Sequence, residues 1–168
     1  ALYEALTHAR IEYTDLLVPT IHEVSVIDGH WAITMDLIEG DTLEDLMKKH
    51  PENADRYLED MVDLQLKVHQ EKMPKLSKLK DKLTRLINSL DTISDSIKYE
   101  LLTRLDSMPK HVKLCHGNFG PENIVITDDN KVYIVDWIGA SAGNASARTW
   151  PRPICCCPSS PPRWRRST

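Results

Sequence analysis

No run of about 18 apolar residues occurs in this 168-residue sequence, which excludes a membrane-spanning helix. The start also lacks the apolar segment of a signal peptide: Ala1 to Tyr13 carries Glu4, Arg10 and Glu12 at helical spacing. Cysteine is scarce, and three of the four cysteines are consecutive at Cys155, Cys156 and Cys157. That spacing excludes a disulfide framework and a zinc site built from separated pairs, so a reducing, cytoplasmic setting is expected. Positive charge is in short supply until Arg148: residues 1–147 hold 16 basic against 25 acidic residues, a net charge of −9. This balance argues against nucleic acid as the main partner and suits a cationic ligand, although a solubilising acidic surface accounts for the same numbers.

What the chain does have is one stretch dense in chemistry, Leu114-Cys115-His116-Gly117-Asn118-Phe119-Gly120-Pro121-Glu122-Asn123-Ile124-Val125, followed by Val132-Tyr133-Ile134-Val135-Asp136-Trp137. A polar loop opens at His116, and a β-type run covers Ile124 to Ile126. Asp128-Asp129-Asn130 turns the chain, and a second β-type run ends at Asp136. Antiparallel pairing of the two runs brings Asn123 beside Asp136. An amide oxygen and a carboxylate converging at one loop suit Mg²⁺, which takes one or two protein oxygens and completes its shell with phosphates and water.

The pattern His-Gly, the residue at 118, four residues, Asn123, an apolar strand, a turn and Val-Asp-Trp resembles the catalytic core of the aminoglycoside phosphotransferase and choline kinase-like family, whose fold is similar to that of protein kinases. The resemblance implies that Asn123 and Asp136 hold Mg²⁺ on the ATP phosphates and that His116 braces the loop. It also implies that position 118 is the catalytic base, an Asp in the family, which accepts the proton of a substrate hydroxyl. Here it is Asn118. An amide offers no basic lone pair near neutral pH, so Asn118 can orient a hydroxyl but not deprotonate it. Loss of a general base costs roughly 10²–10⁴-fold in rate, and the expectation is a kinase-like chain of impaired activity.

Elsewhere the sequence reads as α+β. Residues 1–13 form a helix with Leu2, Ala5, Leu6, Ala9 and Arg10 in an i, i+3, i+4 pattern and no N-cap before them. Ile21 to Ile27 and Trp31 to Ile38 form strands around an Asp28-Gly29 turn. Helices follow over Leu43 to Lys49, capped by Asp41 or Thr42, and over Ala54 to Gln70 with Leu58, Met61, Val62, Gln65, Val68 and His69 on or near one face. Two more cover Leu76 to Leu90 and Asp95 to Met108, and Gly139 to Asn144 continue as a small-residue loop. Within the resemblance, Met35, Asp36, Leu37 and Ile38 match the hinge whose backbone binds adenine. Glu4 matches the helix Glu that pairs with a phosphate-binding Lys. That Lys and the phosphate-covering loop do not stand in these 168 residues, so a truncated smaller lobe is expected at 1–39, followed by an incomplete, mostly helical catalytic lobe at 40–147. The acceptor implied is a hydroxyl-bearing small molecule, aminoglycoside- or choline-like. Asp91, Asp95, Glu100 and Asp106 attract it if cationic, or simply form a solvated helix face. No pattern bears on oligomeric state.

Residues 148–168 break character, with five of the ten Pro, five Arg and no acid. Pro breaks both helix and central strand, so no buried element is expected there. A frame slip near Ala147 explains the change, since TGC-TGC-TGC for the cysteines reads CTG-CTG-CTG, three Leu, one base earlier. A genuine basic, proline-rich tail that binds a partner is the alternative.

Overall fold

The computed structural model describes residues 2–143, so the tail and the proposed frame slip lie outside the described residues. Helix α1 (Leu2–Ile11) buries Ala5, Thr7, His8 and Ile11, while Leu2 and Leu6 are 59% and 50% exposed. The expected stripe is therefore rotated. The inward face contains a histidine because His8 Nε2 donates to the Pro19 carbonyl at 2.6 Å, which satisfies its polar edge in the interior.

Strands β1 (Ile21–Ile27) and β2 (His30–Met35) pair antiparallel, with Ile27 opposite His30. Asp28 and Gly29 both take positive φ, 51° and 79°, the backbone that lets a two-residue loop follow the strand twist. The second strand stops at Met35 rather than Ile38. Asp36 leaves the sheet and closes it: its N–H donates to the Thr20 carbonyl, and its carboxylate accepts from the Thr20 N–H at 3.0 Å and from His22 at 2.7 Å. Those bonds, the Thr20 N–H first, hold the Asp36 carboxyl below the usual range.

Helix α2 (Leu43–Lys49) starts at Thr42, whose Oγ1 accepts from Asp45 N, so Thr42 and not Asp41 is the cap. Asp41–Thr42 also forms a short strand, β3. After a one-turn 3₁₀ helix at Pro51–Asn53, α3 (Ala54–Gln70) has the expected bounds but buries only Val68 and His69. Leu58, Val62 and Leu66 of α3 remain exposed. Helix α4 (Leu79–Asn88) begins three residues later than expected. Residues 76–78 run beside the strand at 141–143 instead, with Ala142 N donating to Ser77 O. Helix α5 (Asp95–Ser107), capped by Ser94, packs on α4.

Strands β4 (Lys113–Cys115), β5 (Ile124–Ile126), β6 (Val132–Ile134) and β7 (Ser141–Gly143) complete the chain. β5 lies between β3 and β6, while β4 pairs with β7, so part of the expected loop after Gly139 is a strand. Gly40 has no room for a side chain, since a Cβ there would lie 2.3 Å from the Ile126 carbonyl oxygen. The core gathers Ile11 of α1, Val68 of α3, Leu76, Leu114 of β4, Ile134 of β6, Trp137, Ala140 and Ala142. A single cluster thus joins α1 to the hairpin strands and fixes both flanks of the loop at 116–123.

Two stability predictions follow from this core. Ser141 is fully buried and, among the described residues, its Oγ has no hydrogen-bond partner. An orphaned hydroxyl costs about 1–3 kcal/mol, so Ser141→Ala raises the thermal midpoint; a lowered midpoint contradicts this. His69 is buried at the end of α3, and burial, aided by the positive charge of Lys113, lowers its pKa. The unfolded chain then binds this proton more readily than the folded one. The associated stability is complete above about pH 6.5, the ordinary histidine pKa, and is lost as pH falls below it. Thermal melts between pH 7.5 and 5.5 should show a shallower loss in His69→Gln than in the parent.

Candidate functional site

The site is assembled where β4 ends and β6 ends. Past Cys115, the buried His116 ring bonds on both sides: Nδ1 accepts from Asn118 N at 3.2 Å, so the proton sits on Nε2, which donates to the Val135 carbonyl at 2.9 Å. The ring lies on Trp137, centroids 4.3 Å apart, and edge-on to Phe119 at 5.7 Å. Gly117 turns the chain with φ +100°, a conformation that favours glycine. The loop at 137–140 presses close behind it, since a Cβ on Gly139 would meet the Gly117 Cα at 3.3 Å.

Asn118 links the other two polar residues. Its Nδ2 donates to Asp136 Oδ2 at 3.1 Å, and its carbonyl accepts from Asn123 Nδ2 at 2.8 Å. Asn123 ends a 3₁₀ turn (Pro121–Asn123) and is nearly buried, and its own carbonyl accepts from Val135 N at 3.0 Å. Among the described residues nothing hydrogen-bonds its Oδ1. The hairpin behind these residues is the expected one, with Ile124 opposite Ile134 and Asn130 in the turn at φ 58°. Asp136 is exposed and left-handed, φ 61° and ψ 57°, a conformation that costs a non-glycine residue about 1–3 kcal/mol. Trp137 anchors that bend from below through Nε1 to Ile134 O at 2.9 Å.

Asp136 also forms one wall of a cleft of about 270 Å³. Met35, Asp36, Leu37 and Ile38 line the same cleft, as does Glu4 of α1. All five residues expected at the nucleotide therefore share one cleft with Asp136, while His116, Asn118 and Asn123 stand behind it through the bonds above. No hydrogen bond among the described residues engages the backbone of Leu37 or Ile38.

Two supporting residues escaped the sequence reading. His8 lines the cleft and lies three residues after Ala5 and three before Ile11, a spacing that marks it as inward-facing. Lys82 of α4 donates to the carbonyl oxygens of Ala140, at 2.7 Å, and Gly139, at 3.4 Å, and so holds the loop after Asp136; no local signal announces it. The acids of α5 and of the turn before it are less convergent: Glu100 pairs with Arg104 at 2.5 Å one turn away, as a solvated face does, and Asp91, Asp95 and Asp106 are exposed.

Solved structures share this architecture. A thermostable mutant of aminoglycoside phosphotransferase APH(4)-Ia in the apo form aligns with a TM-score of 0.62 at 18% identity, over 86% of this chain and 58% of that one. Its D198A variant in ternary complex with ADP and hygromycin B aligns at 0.61 and 17%, over 86% and 57%. An aminoglycoside-3'-phosphotransferase of type VIII aligns at 0.55 and 15%, over 86% and 60%. The fold is thus the protein-kinase-like one, in part, and the chain spans less than two thirds of the length of these structures. Among curated protein sequences no relative matches. A model of the phosphotransferase enzyme family, APH, matches residues 1–148, and the chain belongs to that family.

Proposed function

We propose that this chain carries the nucleotide cleft and the catalytic loop of an ATP-dependent phosphotransferase that acts on a hydroxyl of a small molecule, with its base position lapsed to Asn118. The observation that carries this reading is the hydrogen-bonded series Asn123, Asn118 and Asp136, which ends on the wall of a cleft lined by Met35 to Ile38. The unengaged backbone of Leu37 and Ile38 suits the hydrogen-bonding edge of a nucleobase. Leu37 projects into solvent, and Ile38, Val125 and Val135 supply apolar surface for a flat ring.

The residues present fit Mg²⁺. Asp136 offers an exposed carboxylate, and Asn123 keeps its Oδ1 unengaged because its amide nitrogen is tied to the Asn118 carbonyl. A bound Mg²⁺ neutralises charge on the transferring phosphates. Everything else falls to the chain's own groups. His116 fixes the loop by bonding at both ring nitrogens, and Asn118 is placed to orient an acceptor hydroxyl without taking its proton. Glu4 lines the cleft, where a Lys partner would anchor phosphate. The acidic balance of residues 1–147 favours a cationic acceptor, and the hygromycin B held by the matched ternary complex is an acceptor of small-molecule size. The buried Cys115 thiol accords with a reducing, cytoplasmic setting. We divide the chain at residue 39 into the two lobes set out above.

Asn118 favours a second reading, a kinase-like module that binds nucleotide without turnover; a non-functional fragment of a longer kinase is the third.

ADP and ATP at millimolar concentration should raise the thermal midpoint of the parent chain, and complete indifference to both would sink the nucleotide reading. With a segment carrying the phosphate-covering loop and its Lys supplied, turnover, followed as ADP release with an aminoglycoside acceptor, should rise by about 10²–10⁴-fold in Asn118→Asp and vanish again when Asp136→Asn is added. Retained nucleotide binding with no activity in Asn118→Asp would instead favour the binding module.

A further inference from the structure

The bond from Asn118 Nδ2 to Asp136 Oδ2 has a consequence apart from the missing base. A carboxylate offers about four lone-pair directions, and a donor seated on one of them blocks the approach of a cation along it. Asn118 contacts both oxygen-bearing residues of the site, Asp136 through its side chain and Asn123 through its carbonyl. The amide hydrogens also bring partial positive charge to the Asp136 carboxylate, as a bound cation would.

We infer that Asn118 is a cation-excluding latch: its side-chain amide holds Asp136 Oδ2 in place of a divalent ion, so the chain binds divalent cations more weakly than its Asp136 and Asn123 oxygens permit, and binds nucleotide with little dependence on them. This rests on the reading of residues 116–136 as a nucleotide and cation site. The latch has a simple electrostatic logic. An aspartate at 118 would face Asp136 across the same gap, and two carboxylates at that separation repel, a repulsion that a shared proton or a bound cation relieves. An asparagine there satisfies the carboxylate on its own.

Mn²⁺ titrated alone and followed by electron paramagnetic resonance tests the latch without nucleotide or turnover. Asn118→Asp adds charge and tightens Mn²⁺ binding whatever the mechanism, so the informative variants are Asn118→Ala and Asn118→Leu, which remove the donor and add no charge; Leu also preserves volume if Ala lets the loop close in. Both should bind Mn²⁺ about tenfold or more tightly than the parent, the size expected from releasing one hydrogen bond to a charged group. Adding Asp136→Asn to either should erase the gain. Equal or weaker Mn²⁺ binding in both variants overturns the latch. ADP titrations with Mg²⁺ and with EDTA separate this inference from the function proposed above. The parent should bind ADP about equally in the two, and many-fold weaker binding in EDTA overturns the latch. Failure of ADP to bind any variant while the Mn²⁺ gain is present removes the nucleotide reading and leaves the latch standing.

Discussion

The hydrogen bond from His116 to the Val135 carbonyl is the constraint on which the working end of this molecule depends. It joins the end of β4 to the end of β6 across a gap of 19 residues in the chain, and its imidazole is buried, so leaving that ring nitrogen unpaired would cost about 1–3 kcal/mol. Since the Nε2 proton is committed there, Nδ1 is free to receive the Asn118 N–H and thereby sets the direction of the next side chain. Trp137 closes the arrangement from below, packing on the imidazole and bonding to Ile134. One tautomer of one ring therefore determines where Asn118 stands relative to Asp136.

The cleft opposite is held by a different device. Asp36 uses one carboxylate oxygen on Thr20 N and the other on His22, and returns its own N–H to Thr20 O. The carboxylate thus acts as a staple for the sheet rather than as a ligand. The strand is made to end at Met35, and among the described residues the backbone of Leu37 and Ile38, which line the cleft, has no sheet partners. A fixed wall with unspent hydrogen-bonding groups is the form expected of a preorganised binding surface, because ordering costs have been met during folding.

Local chemistry was legible in the sequence and long-range pairing was not. β1, α2 and α3 have the bounds expected because a turn at Asp28-Gly29, a cap at Thr42 and an amphipathic run are properties of neighbouring residues. The hairpin at 124–134 and the group His116, Asn118, Asn123 and Asp136 could be read for the same reason, since motif and turn lie within about twenty residues. Two- and three-residue strands carry no periodicity, so the pairing of β3 with β5 and of β4 with β7 left no trace, nor did the shift of residues 76–78 from helix to bridge. The inward face of α1 was misread because polarity is a poor guide to burial when the partner is a distant backbone carbonyl, as Pro19 is for His8. Lys82 was invisible on the same grounds: its partners lie 57 and 58 residues away.

The left-handed backbone at Asp136 sets thermodynamic preference against chemical need at a single position. Glycine would relax that conformation and asparagine tolerates it well, so either would make the bend easier to fold. Neither supplies a carboxylate. Random substitution screened only for folded yield would therefore drift away from aspartate here, toward residues that fold the bend more easily and carry no charge.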